Sequence, residues 1–184
     1  MMTWTIAGTL DVLPAVDHTE LLAPPVAKAL PEVTDAQRIG VAAIDPALAD
    51  TADFCAAYSS PLEASANCVV VAGKRGGEVR YAAALVLATT RADVNSVIRK
   101  RLDVRKASFA PMADAVELTG MESGGITPIG LPPEWPILID ERVAEAEELI
   151  VGSGIRGSKL LVTGSQLAAL PGAEVISGLA KPVA

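Results

Sequence analysis

Large rings are nearly missing from this chain: Phe, Tyr and Trp together make up 3% of its 184 residues, although hydrophobic residues as a whole reach 51%. A core without rings must be packed from Val, Leu, Ile and Ala, the usual make-up of an aliphatic α/β interior. The length suffices to bury such a core within one domain. Histidine occurs once, at His18, and the two cysteines, Cys55 and Cys68, have no CxxC spacing. So sparse a set leads us to expect no metal site and no disulfide framework. No unbroken apolar run approaches the roughly 18 residues of a membrane helix, and the N-terminus lacks the basic-then-apolar layout of a secretion signal. The chain is therefore read as a soluble, cytoplasmic domain with no membrane partner.

Positive charge is also scarce, with 15 Lys and Arg against 22 Asp and Glu for a formal net charge of −7. Such a balance argues against a protein that grips nucleic acid along its whole surface, and no DNA partner is expected. The charge is uneven, however. Arg91, Arg99, Lys100, Arg101, Arg105 and Lys106 face only Asp93 and Asp103 in their segment, a local +4 that leaves −11 elsewhere. This is either one basic face on an acidic body or a solvated helix face with cations at its C-terminus.

Residues 1–25 carry prolines and no sustained period, so they are taken as a peripheral leader to a domain over 26–184. Arg38 to Asp45 reads as a strand closed by Asp45-Pro46, and Ala47 to Tyr58 as a helix. Cys68 to Ala72 and Val79 to Leu87, joined by a glycine-rich turn, read as a hairpin. Asp93 caps a helix over Val94 to Leu102. Lys106 to Ala110 is a strand, and Met112 to Thr119 a helix stopped by Gly120. Ser123 to Pro133 holds three glycines and three prolines in eleven residues, which excludes regular helix or central strand. Strands follow at Pro136 to Asp140, Glu148 to Val151, Ser158 to Thr163 and Glu174 to Ser177, with brief helices at 141–146 and 165–170. The expected fold is a single compact α/β domain, with a mixed, partly barrel-like sheet and short helices packed outside.

Three places could carry chemistry. Gly152-Ser-Gly154-Ile-Arg-Gly157 matches GxGxxG, with Glu174 placed to mimic a ribose-binding acid. That fingerprint needs a helix after its third glycine, whereas Ser158-Lys-Leu-Leu-Val reads as a strand, so a hairpin turn is preferred. In the Gly124 to Pro128 loop, adjacent glycines let successive backbone N–H groups form a concavity that binds an anion or a polarised carbonyl oxygen. Asp140 ends an apolar strand, either as a functional carboxylate or as a helix N-cap.

Thr119-Gly120, Gly124 to Gly130, the PILID run to Asp140 and Gly154-Ile-Arg-Gly-Ser158 occur in an order that resembles the YbaK family, the aminoacyl-tRNA synthetase-associated (prolyl-tRNA editing-like) domain. The likeness is strongest from about Ala64 to Val175. It implies a hydrolase that removes a small amino acid from mischarged tRNA, acting at the acceptor end of aminoacyl-tRNA as a free-standing editing protein, monomer or homodimer, without metal or cofactor. Carried over residue by residue, it points to Gly124, Gly125, Asp140 and Asn67 for catalysis. Ile126, Thr127, Pro128, Thr119, Gly154 and Arg156 are implied for substrate binding.

One position departs from the family. A family lysine that meets the phosphate of the terminal nucleotide is replaced here by Asn67, whose amide donates a hydrogen bond without the charge assistance of an ammonium. Lys74, Arg75 or Lys106 would then have to reach that phosphate from another direction. Two further readings stay open: a binding module for aminoacyl-tRNA ends or aminoacyl-adenosine-like ligands without turnover, and a structural homodimer that uses neither loop nor basic cluster.

Overall fold

The computed structural model describes residues 3–183. The strands are β1 (Leu13–Pro14), β2 (Gly40–Ala43), β3 (Ala66–Arg75), β4 (Glu78–Leu87), β5 (Thr90–Ala92) and β6 (Lys106–Phe109). They continue with β7 (Ile137–Asp140), β8 (Leu149–Gly152), β9 (Ser158–Val162), β10 (Ala173–Ile176) and β11 (Ala180–Pro182). Among the described residues six short α-helices are interspersed: α1 (Pro24–Ala29), α2 (Thr51–Tyr58), α3 (Arg99–Leu102), α4 (Met112–Thr119), α5 (Glu141–Ala144) and α6 (Gly164–Ala168).

Each boundary has a local cause. The β3–β4 hairpin pairs Ala66 with Leu87 through to Arg75 with Glu78, leaving Gly76-Gly77 as a two-residue turn, the length whose backbone twist matches paired strands. Helix α4 follows Pro111 and ends where Gly120 adopts φ 69° and donates to Val116 O at 3.0 Å. Helix α6 opens on a capping box in which the Thr163 side chain accepts from Gln166 N while the Gln166 side chain accepts from Thr163 N. Asp93 accepts from Ser96 N at 3.0 Å, but the turn it opens over Val94–Ile98 is wider than an α-turn and becomes α-helical only at Arg99.

The strands form a five-stranded sheet in the order β10-β7-β4-β3-β6, a four-stranded sheet in the order β1-β2-β9-β8, and the pair β11-β5. Strand β7 runs parallel to both β4 and β10, and the other pairings are antiparallel, so the fold is mixed α/β. The two large sheets meet at a parallel bridge between Ser65 and Ile150, and no closed barrel forms among the described residues. Between them lies the main core, which includes Leu30, Leu85, Ile139, Leu149 and Leu160. A second cluster around Val71, Ala84, Ile98 and Leu138 fills the other face of the five-stranded sheet.

The N-terminal residues expected to be peripheral are part of this core. Ala15, Leu22 and Ala23 are buried in the main cluster and β1 pairs with β2. Ala23 N donates to Ser153 O at 3.2 Å, and Ser158 Oγ donates to Leu21 O at 2.5 Å. The segment lacks a helical or strand period because it advances through single 3₁₀ turns, which bury isolated residues rather than a continuous face. No helix among the described residues is long and apolar enough to cross a membrane.

Candidate functional site

The glycine-rich loop is held in place by the turn between β8 and β9. Glu122 N donates to Gly154 O at 2.8 Å and Gly154 N to Gly125 O at 2.7 Å, so the two loops run against each other backbone to backbone. This approach is possible only without side chains at the seam: a Cβ on Gly125 would lie 2.7 Å from the carbonyl of Ile155. Gly124 adopts φ +85°, and a Cβ there would sit 2.2 Å from an Arg156 guanidinium nitrogen. Arg156 braces the assembly from outside, donating to Ser123 O at 3.1 Å and Pro46 O at 3.2 Å and lying 3.8 Å from the Asp50 carboxylate.

Between this loop, the start of β3 and the end of β8 lies a cavity of about 270 Å³. Its apolar wall includes Cys68, Val69, Met112, Ile126 and Ile150, and its polar wall Asp50, Thr51, Asn67 and Lys159. Gly124 and Ile126 both line it. Gly125 N–H is committed to Glu122 O at 2.9 Å, whereas the amides of Gly124 and Ile126 have no protein acceptor among the described residues. Two amides of the loop are therefore without a protein partner, on either side of one that is used. Across from them, Thr51 Oγ1 donates to Asn67 Oδ1 at 2.9 Å, which orients the Asn67 side chain and leaves its NH₂ group as the available end.

Lys159 was not among the residues singled out from sequence. It lies in β9, is 8% exposed, donates through Nζ to Ala49 O at 2.8 Å and stands 5.3 Å from the centre of the Phe54 ring. Desolvation holds its pKa below the ordinary lysine value, with Arg156 pushing the same way and Cys55 and Asp50 opposing. The signal was a single cation within a strand whose five residues are all buried; a strand buried on both faces shows no alternation to expose it. Cys68 also lines the cavity, but burial pushes its thiol up to about 12, so it offers no thiolate near neutral pH.

The other expected residues are dispersed. Asp140 is fully buried at the end of β7 and does not line the cavity. One of its oxygens lies 3.4 Å from Arg142 and the other has no partner, and its side chain makes no helix-capping bond. Thr119 closes α4, donating to Ala115 O at 2.7 Å and accepting from Met121 N. Thr127 is fully buried with an unpartnered hydroxyl. Pro128 lines a separate apolar cavity of about 260 Å³ with Leu131, Trp135 and Leu170, because the chain crosses from one cavity to the other within this loop. Gly154 and Arg156 support the loop from behind.

Lys74, the pairing partner of Lys106, stands seven positions along β3 from Asn67, which at the usual strand rise is about 23 Å. Together with Arg75 it lies at the far end of the sheet, too distant to replace a cation beside Asn67. Asp103 of the basic segment is taken up by Arg75 of β3, and one of the segment's cations, Arg101, is neutralised by Glu174. That contact raises the arginine's pKa and lowers the glutamate's, so Glu174 is occupied by an ion pair. The Gly152–Gly157 segment is the hairpin turn between antiparallel β8 and β9, as the strand pattern indicated.

The description of the aminoacyl-tRNA editing domain matches residues 45–170, more than half of the chain, and the protein belongs to that family. Among solved structures, a candidate trans-editing enzyme for prolyl-tRNA synthetase superposes with a TM-score of 0.70 at 22% identity, covering 84% of this chain and 94% of that one. The hypothetical protein APE2540 gives a TM-score of 0.64 at 21% identity, covering 72% of this chain and 85% of that one. At these identities the likeness establishes a shared fold. No curated protein matches the chain's sequence.

Proposed function

We propose that this protein is an aminoacyl-tRNA deacylase, which hydrolyses the ester of a mischarged tRNA bearing a small amino acid. The observation that carries this reading is the cavity itself, which is lined by Asn67 and by Gly124 and Ile126, whose amides lack protein acceptors. Water attacks the ester carbonyl carbon, the resulting oxyanion is held by backbone donors, and the C–O bond to the ribose breaks, yielding free amino acid and tRNA with its hydroxyl restored. Val69, Ile126 and Ile150 would surround the amino-acid side chain. Gly125 and Arg156 would act by positioning the loop. A trans-editing role agrees with that of the structurally similar candidate enzyme.

A second reading is supported by Asn67, which supplies an amide where the family resemblance implies a lysine: a module that binds the aminoacyl end without cleaving it. Both are tested by incubating alanyl-, cysteinyl-, seryl- and threonyl-tRNA with the wild type and with Asn67→Lys. Release of amino acid by the wild type supports the deacylase. A wild type that binds but is inert, beside an active Asn67→Lys variant, supports the binding module, and inertness without binding in both overturns the two readings.

A further inference from the structure

A buried ammonium is unfavourable unless its charge and its protons are compensated. Lys159 has three donors, of which one reaches a protein acceptor, the Ala49 carbonyl at 2.8 Å. The Phe54 ring gives partial electrostatic compensation at 5.3 Å. No carboxylate of the described residues forms an ion pair with Lys159, and the nearby Asp50 pairs with Arg156 at 3.8 Å. The cavity wall that Lys159 lines also holds Asn67, whose NH₂ group is left to donate once its oxygen has accepted from Thr51.

A cation and an amide donor together select an anion or a strong acceptor. Under the reading above, on which this step rests, the ligand is an aminoacyl ester at the end of tRNA. Its amino group is itself cationic, and its anions are phosphates. A buried Lys159 repels the amino group and attracts a phosphate, while Asp50, on the same wall, complements the amino group. We propose that Lys159 and Asn67 form a phosphate subsite of the cavity, occupied by the 5′-phosphate of the terminal adenosine, with the charge supplied from β9 rather than from the start of β3.

The test compares adenosine 5′-monophosphate with adenosine, using calorimetry for affinity and NMR of the Lys159 side chain for location. Adenosine monophosphate should bind at least about tenfold more tightly than adenosine, as expected for a charge-assisted contact, and should shift the Lys159 Cε and Nζ resonances. Lys159→Met should erase that preference, and Lys159→Arg should retain part of it. Equal affinity for the two ligands, unmoved Lys159 resonances, or an undiminished preference in a folded Lys159→Met would overturn the proposal. If Lys159→Met fails to fold, the wild-type resonances decide. A Lys159-dependent preference beside a wild type inert toward every mischarged tRNA would sink the deacylase and keep the subsite; deacylation without that preference would do the reverse.

Discussion

Two cavities of almost equal volume share one loop, yet their chemistries are opposite. The first, about 270 Å³, is reached by Gly124 and Ile126 and holds Asn67, Asp50 and Lys159. The second, about 260 Å³, is lined by Pro128, Pro132 and Pro133 together with Leu131, Trp135 and Leu170. Size does not separate them; the supply of donors does. The glycine half of the loop presents backbone N–H groups, whereas each proline in the other half removes one. Trp135 further closes the second cavity by stacking on Tyr81, 5.4 Å between ring centres. A cation that could meet a phosphate lines the first cavity and not the second.

This contrast can be broken most severely at Gly125. A side chain there meets the Ile155 backbone at 2.7 Å, so Gly125→Val should displace the loop and lower deacylation by about 100-fold or more, the scale expected when catalytic geometry moves by an ångström. Circular dichroism would confirm that the variant remains folded. In the second cavity, Leu170→Ala should cost about 3 kcal/mol in a denaturant melt while leaving the affinity for adenosine monophosphate unchanged. A parallel loss of affinity would show that the cavities are not independent.

A pH titration sharpens the same contrast. Burial lowers the pKa of Lys159, so its ammonium is lost at a pH below the ordinary lysine value of about 10.4. Phosphate affinity should fall several-fold as pH rises through that lowered pKa. Stability should move the other way: the charged form opposes folding below the folded-state pKa, and the penalty is relieved as pH rises from there toward the unfolded value. Asp50, Arg156 and Cys55 surround the group and modulate the midpoint. The smallest effect is expected from Lys106→Ala on β6, paired with Lys74 near the far end of β3, which should weaken binding of whole tRNA about twofold to threefold and leave adenosine monophosphate binding unaffected.

Much of this architecture was legible in the sequence. Turn and cap chemistry located the β3–β4 hairpin and both ends of α4, and the strand character of Ser158 to Val162 correctly excluded a dinucleotide fold despite the GxGxxG match. The irregular backbone of the loop was legible because its glycines and prolines exclude helix and central strand, whereas the close approach of Gly125 to the Ile155 backbone was not. What stayed hidden lacks a period: Ala15, Leu22 and Ala23 enter the core from irregular turns, and Lys159 sits in a strand buried on both faces. Asp140 and Pro128 were grouped with the site by their order along the chain, but the structure directs one into the sheet interior and the other into the apolar cavity. Order alone does not show which face of a strand or which side of a loop a residue occupies.

The central claim, that the glycine-lined cavity receives the aminoacyl end, is tested most directly by amide NMR with a non-hydrolysable aminoacyl-adenosine amide of alanine or serine. Saturable shifts at Gly124, Ile126 and Asn67, with Gly130, Leu131 and Leu170 unmoved, are the predicted result. Shifts confined to the Gly130–Leu170 side, or none at saturating ligand, would contradict it.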